Sequence, residues 1–313
     1  MISILLAAYN GEKYITGQIE SLLLQTYQDF KLYIRDDKST DSTFSIALKY
    51  ASENPGKVFA ESNETNTGEA RFNFIEMMID LKDDYIMLCD QDDVWQPDKI
   101  EKSLDTIQAL EDKHGRDTPL LVHTDLNVVN DNLDVISSSY EKMSNKDFRK
   151  TSLSFAVTMN NAAGCTIIYN RALGNLIQAK PGFIVMHDWW LTLTAAAFGK
   201  IGVISEPTVL YRQHDDNSKG AKKVLSPGYI LFVLKNIKTM ASMINDSYKQ
   251  AGSFLETFKD KLTGDQLELL KAYASIPGLS RVKKLRTVFK YKTFMHGVAR
   301  KTAQLMILLG HRA

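Results

Sequence analysis

The sequence predicts an α/β protein, a mainly parallel sheet with helices on both faces, followed by an α-helical C-terminal region. Short apolar runs, too brief to be helices, alternate with stretches of helical periodicity. Polar loops rich in aspartate, asparagine or glycine leave the end of each run. From about residue 225 the runs give way to helical patterns mixing apolar and cationic positions. Strand, helix, strand connections of this length close as right-handed crossovers, which sets the strands parallel.

In order, ISILLAA (2–8) is the first strand, and YITGQIESLLLQ follows with Ile15, Ile19, Leu22 and Leu23 on one helical face. KLYIRDD is the second strand; Ser39, Thr40 and Asp41 offer N-caps for a helix carrying Phe44, Ala47, Leu48 and Ala51 inward. VFAES, a helix around ARFNFIEMMIDL, the strand YIMLCD and a helix opened by Pro97, with Ile100, Leu104, Ile107 and Leu110 inward, complete this half. Residues 130–160 are polar and aperiodic and read as a long loop over the site, suited to closure or acceptor contact. Two helical stretches follow, SPGYILFVLKNIKTMASMI and SRVKKLRTVFKYKTFMHGVARKTAQLMILLG. The expected domains are 1–224, with halves of about 1–115 and 116–224, and 225–313.

The chain has 313 residues, 44% of them hydrophobic, enough for one large core or two smaller ones. A net charge of +1 argues against a dedicated nucleic-acid binder. The charge is uneven: no acidic residue follows Glu268, while Lys271, Arg281, Lys283, Lys284, Arg286, Lys290, Lys292, Arg300, Lys301 and Arg312 do. The N-terminus lacks the basic start and cleavage site of a signal peptide, and no apolar run approaches the ~20 residues that span a bilayer. Cys89 and Cys165 lie far apart without a CxxC spacing and read as buried hydrophobes of a reducing cytoplasm.

Ligands of such sheets bind at the carboxyl ends of the strands, and the loops AAYNGEKY, RDDKSTD, ESNETNTGEARFN and CDQDDVW all leave there. The last holds Asp90, Asp92 and Asp93 within four positions, a costly crowding of like charge unless something positive arrives. With no Walker loop, GxGxxG or HExxH present, the oxygen-rich set points to Mg2+ or Mn2+ rather than zinc. The companion of such a cation is a diphosphate leaving group.

The ordered set AAYNG, DDKSTD, NTG with ARFN, and DQDD with its Trp and Pro resembles the family 2 glycosyltransferases of GT-A fold over about the first 215 residues. NAAGCTIIYNRAL, HDWWLTLTAAAFG and LYRQHDDN resemble that family's second half, the last two being similar to bacterial rhamnosyltransferases of cell-wall polysaccharide synthesis. The resemblance implies that Asp37 recognises the donor's nucleobase, that Ala8 and Tyr9 lie in the loop beside the base, and that Arg71 stands near the nucleotide. It implies that Asp90 faces the ribose and metal, that Asp92 ligates the cation, and that His214 approaches the metal or phosphates; Asp93 receives no firm role. Asp188 in HDWW matches the base of inverting members, and Trp189 or Trp190 would line the acceptor groove if they are not core.

An attacking hydroxyl needs one base, and Asp188 opens a helix whose dipole favours its ionised form. The absence of an obvious second carboxylate as nucleophile points to inversion. Taken singly, Asp36, Asp37 and Asp41 could cap a helix, and Arg212 and Lys219 could be solvated charges or phosphate ligands. The donor implied is dTDP-rhamnose, with a UDP-hexose such as UDP-glucose or UDP-galactose as runner-up; the acceptor implied is a polyprenyl-diphosphate-linked saccharide. A noncatalytic sugar-binding or scaffold subunit is the alternative of another class. The basic C-terminal helices pack on the catalytic domain or another subunit, or contact a membrane peripherally, the reading a lipid-linked acceptor favours.

Overall fold

Strand β1 (Ile2–Ala8) lies between two parallel neighbours, β2 (Phe30–Asp36) and β4 (Tyr85–Asp90), and is buried on both faces, so its apolar run does not alternate. By contrast β2 alternates, burying Phe30, Leu32 and Ile34 and leaving Lys31, Tyr33 and Arg35 at the boundary. Strand β3 (Val58–Ser62) pairs parallel to β2. The register sets Ala8 opposite Asp36, Asp36 opposite Ser62 and Ala7 opposite Asp90, so four consecutive loops leave one edge of the sheet.

The computed structural model describes residues 1–214 and 237–310. Its sheet continues through β5 (Val94–Trp95), β6 (Leu120–Val129), β7 (Val135–Ser137), β8 (Ile167–Asn170) and β9 (Lys200–Arg212), in the order β3-β2-β1-β4-β8-β6-β9-β5, with β7 paired to β6. The stretch from β3 to β4 is parallel throughout; β8 runs antiparallel to both its neighbours, and β6 and β9 are parallel. Strand β5 pairs antiparallel with β9, Val94 facing Leu210. That short pairing draws the end of β9 alongside the acidic loop.

Helices α1 (Ile15–Leu23), α2 (Thr43–Glu53), α3 (Ala70–Asp80) and α4 (Lys99–His114) fall where periodicity places them. Two details differ. On α2 only Thr43 and Ala47 are buried, and Leu48 is exposed rather than inward. Pro97 precedes α4 instead of opening it; its carbonyl accepts the Thr26 N–H at 2.8 Å while the helix begins at Lys99. Residues 130–160 are not one loop either, since they hold β7 and the single-turn helices α5 (Tyr140–Met143) and α6 (Leu153–Ala156). A buried carboxylate anchors the start of this stretch: Asp125 accepts the Tyr140 N–H at 3.0 Å and the Ser139 hydroxyl at 2.5 Å. Aperiodic polarity hid such short elements, which depend on one tertiary partner rather than on a repeating face.

By packing, the described residues divide into two units, 1–140, 162–180 and 199–214 in one and 141–161, 181–198 and 237–310 in the other. The first holds the whole sheet and the short helix α7 (Arg171–Gly174). The second packs α8 (His187–Phe198), α9 (Ile237–Phe258), α10 (Gly264–Ala274), α11 (Arg281–Tyr291) and α12 (Val298–Leu308). Its core joins Trp190 to Phe254, ring centroids 5.2 Å apart, and Tyr248 to Tyr273 at 4.9 Å. Thr263 and Gln266 form a capping box at the start of α10. Of the expected C-terminal helices, SPGYILFVLKN lies outside the described residues.

Candidate active site

At the edge where the four loops emerge, side chains hold the backbones together. Gln91 lies against the first loop: the Tyr9 N–H donates to its Oε1 at 2.8 Å, and its Nε2 donates to the Tyr9 carbonyl at 2.9 Å. Glycine at position 11 leaves room for this, because a Cβ there would sit 2.2 Å from Gln91 Oε1 and displace the amide. The Gly11 N–H donates to Thr43 Oγ1 at 2.7 Å, and the Asp37 N–H to the Ala8 carbonyl at 2.7 Å, tying the first loop to the second. Ala8 therefore enters the site through its backbone, beside the half-exposed ring of Tyr9.

Asp37 is nearly buried, and its carboxylate organises the third loop. Its Oδ1 accepts from Asn63 Nδ2 at 2.7 Å and the Thr67 N–H at 2.8 Å, and Oδ2 accepts the Thr67 hydroxyl at 2.7 Å. Two carboxylate oxygens offer about four acceptor positions, so room for one further donor remains. The neighbouring Asp36 caps the turn locally, accepting from the Ser39 N–H and the Ser62 hydroxyl, and Asp41 accepts the Thr43 N–H. Only Asp41 therefore stands at a helix start; Asp36 ties a turn to β3 and caps no helix. Arg71, in the first turn of α3, pairs with Glu69 at 2.5 Å.

The fourth loop separates its three carboxylates. Asp93 turns inward, where Oδ1 accepts the Arg212 N–H at 3.1 Å, and burial, with Asp92 and Asp90 pushing the same way, raises its carboxyl well above the usual range. The expected repulsion thus falls on this residue. Asp92 faces the end of β9 instead, with Oδ2 2.9 Å from His214 Nε2. The imidazole stacks on Tyr14, centroids 4.7 Å apart, and the Arg212 guanidinium covers the same tyrosine at 4.9 Å. Arg212 Nε donates to the Asp92 carbonyl at 2.9 Å and Nη1 to the Asp131 carbonyl, so this arginine is a buried tie rather than a solvated charge. Asp131 in turn accepts the Tyr14 hydroxyl at 2.6 Å and pairs with Lys13 at 2.7 Å. Lys219 lies outside the described residues.

Beneath the loop is a lysine that periodicity assigned no role. Lys99 is fully buried, its ammonium 4.4 Å from the Trp95 ring centre and without a hydrogen-bond partner among the described residues. Burial brings its pKa down to about 8, against the pull of Cys165, Cys89 and Asp93. Burial also pushes both thiols up, in keeping with inert structural cysteines.

Asp90, Asp93 and Cys165 bring one ligand atom each within 4.8 Å of one another. Two of these are buried groups whose protonated forms are favoured, and thiolate is soft, so the trio is a poor seat for Mg2+ or Mn2+. The expected set of Asp90, Asp92 and His214 is not drawn together as closely; Asp92 and His214 touch, while Asp90 sits by Asp93. The two carboxylates of that set are the oxygen donors a hard divalent cation prefers, but only Asp92 stands beside the imidazole.

Asp188 belongs to the second unit, in the first turn of α8, where its Oδ1 accepts the Trp189 N–H at 2.6 Å. The helix terminus favours a negative charge there. The tryptophans expected to line an acceptor groove are core instead. Trp190 packs on Phe254 and Phe258, and buried Trp189 donates its indole N–H to the Ala156 carbonyl at 2.6 Å, leaving neither ring a face for a sugar. His187 is buried beside them. Sequence reasoning missed Gln91, Tyr14, Asp131 and Lys99: Gln91 and Tyr14 sat inside quoted loops, but such residues gain meaning from partners far along the chain.

Comparison with known proteins places this geometry. The profile of Glycosyl transferase family 2 matches residues 3–172. The chain is 30% identical over 231 residues to the dTDP-rhamnosyl transferase RfbG of Shigella flexneri, covering 69% of this chain and 74% of that one. Among solved structures it is similar to S. aureus TarS 1-349 in complex with UDP-GlcNAc, with a TM-score of 0.56 and 17% identity over 99% of this chain and 93% of that one. It is also similar to the mannosyltransferase PcManGT of Pyrobaculum calidifontis in complex with GDP-Man and Mn2+, with a TM-score of 0.51 and 13% identity over 98% and 84% of the two chains. The likeness bears out the GT-A fold with C-terminal helices.

Proposed function

Since the chain belongs to glycosyl transferase family 2, we propose that it moves L-rhamnose from dTDP-rhamnose, with inversion, to a hydroxyl of a polyprenyl-diphosphate-linked saccharide in cell-wall polysaccharide synthesis. The observation that carries this is the gathering of four loops, with Asp37 and the Asp92–His214 pair, at one edge of the sheet. The rhamnosyl donor rests on the likeness to RfbG.

In this reading Asp37 accepts the ring N–H of thymine at its remaining acceptor position, Tyr9 lies beside the base, and Arg71 stands near the phosphates. Asp90, Asp92 and His214 would hold Mn2+ or Mg2+, which when bound offsets the charge of the leaving diphosphate. Asp188 takes the proton of the acceptor hydroxyl as its oxygen bonds to the anomeric carbon. The old bond from that carbon to the phosphate oxygen breaks on the opposite side, and its electron pair leaves with dTDP. Since no helix among the described residues is long and apolar enough to cross a membrane, a lipid-linked acceptor would be met from the inner face of the cell membrane by peripheral contact.

Transfer by Asp188→Asn, followed by NMR of the product's anomeric configuration in the parent, tests the assignment. Loss of about 100-fold or more with dTDP binding intact supports the base role. Retained turnover, or a product of retained configuration, removes it. A UDP-hexose donor would appear in the same assay as UDP release.

A further inference from the structure

We infer that the outer face of α11, continued through the turn into α12, is the surface on which this protein rests against an anionic lipid bilayer. The inference deepens the proposed use of a lipid-linked acceptor and rests on it for its purpose. The geometry stands on its own. Val282 and Phe289, two helical turns apart, are 60% and 61% exposed, while Val288, roughly 100° round the helix from Phe289, is completely buried and anchors the helix. Arg286, exposed, falls between the two apolar residues at i+4 from Val282, and Arg281, Lys283 and Lys290 are exposed on the same helix. The apolar strip continues past the helix end: Phe289 meets Phe294 edge to face, centroids 5.0 Å apart, and Lys301 lies over Phe294 at 4.4 Å. Val298, opening α12, is 80% exposed.

Charge selects the occupant. Residues 269–313 hold ten cations and no carboxylate side chain. Glu268 answers one of them, Lys290, at 2.8 Å. A second copy laid on this face would oppose like charge to like, whereas an anionic headgroup layer complements it and receives the exposed valines and phenylalanine at the acyl boundary. Two or three shallow apolar residues with several cations make a reversible contact, not an anchor.

The test is sedimentation of the whole protein with phosphatidylcholine vesicles, with and without phosphatidylglycerol, at low and high salt. Binding is expected to need phosphatidylglycerol and to weaken with salt. The variant Lys283→Gln/Arg286→Gln is expected to bind about 25-fold more weakly, roughly fivefold per cation, and Val282→Ser/Phe289→Ser to lose most binding, both with the parent's rate of donor hydrolysis. Should the serine variant lose donor hydrolysis, the glutamine variant, which changes only exposed cations, decides. Equal binding to neutral vesicles, no vesicle binding by a chain that still hydrolyses donor, or self-association in lipid-free sedimentation velocity that the same substitutions abolish would each overturn the proposal. Vesicle binding by a protein with no donor turnover would instead count against the glycosyltransferase assignment and leave the surface standing.

Discussion

Asp93 accepts the backbone N–H of Arg212 at 3.1 Å, so the last carboxylate of the acidic loop points into the protein and fastens strand β9 to the loop. Its neighbour Asp92 points the other way, to His214. The two therefore separate by experiment. Asp93→Asn keeps an acceptor for Arg212 and is expected to retain donor turnover within about tenfold, while Asp93→Ala loses about 1–3 kcal/mol of stability in urea unfolding. Asp92→Asn is expected to lose turnover about 100-fold with little change in stability, the loss being partly recovered by raising Mn2+.

Lys99 links the same loop to pH. In the unfolded chain its ammonium loses its proton near 10.5, in the folded protein at about 8. Between those values the unfolded state binds more protons, so raising the pH from 8 towards 10.5 stabilises the fold, and below 8 the full penalty of about 3 kcal/mol is present. Thermal midpoints of metal-free parent and Lys99→Met should converge or cross as the pH rises from 8 to 10, the parent gaining on the variant. Parallel midpoints across that window would mean that the buried amine does not titrate there.

Gly11 and Gln91 form one packed unit. Gly11→Ala would push the Gln91 amide off Tyr9, costing about 1 kcal/mol, since the displaced atoms are the end of a flexible side chain and what is lost is its hydrogen bonding. Gln91→Ala removes the obstruction, so the double substitution should cost less than the sum of the singles in urea unfolding. Additive losses would show that the alanine collides with something else.

Asp37→Asn can keep the acceptor that Asn63 and Thr67 use, and its amide can donate to the Thr67 hydroxyl, so folding should persist. A base N–H, however, would lose a charged acceptor. Calorimetry should show dTDP binding weakened roughly 10- to 100-fold, and unchanged affinity would detach Asp37 from the nucleobase.

Much of this site was legible because strands buried on both faces write uninterrupted apolar runs, and β1 and β4 end where their runs end, at the ligand edge. Asp37, Asp90 and Asp92 lie in loops fixed by those ends. Beyond them, local pattern fails for physical reasons. Lys99 sits in the first turn of a helix, where a lysine reads as surface, yet the packing around Trp95 encloses it. Trp190 lies two positions after an aspartate, which reads as a site, but the aromatic residues that cover it lie more than sixty positions later. His214 reaches Asp92 through the two-residue pairing of β5 with β9, too short to leave a periodicity.

The central claim is that the acidic edge of this sheet serves the diphosphate of an activated sugar. Release of nucleoside diphosphate, measured across the common nucleotide sugars with Mn2+ or Mg2+ present and again with a chelator, tests it most directly. The expected result is metal-dependent dTDP release from dTDP-rhamnose, strongly reduced in Asp92→Asn. No release from any nucleotide sugar by folded protein, with metal and a lipid-linked acceptor supplied, would contradict it.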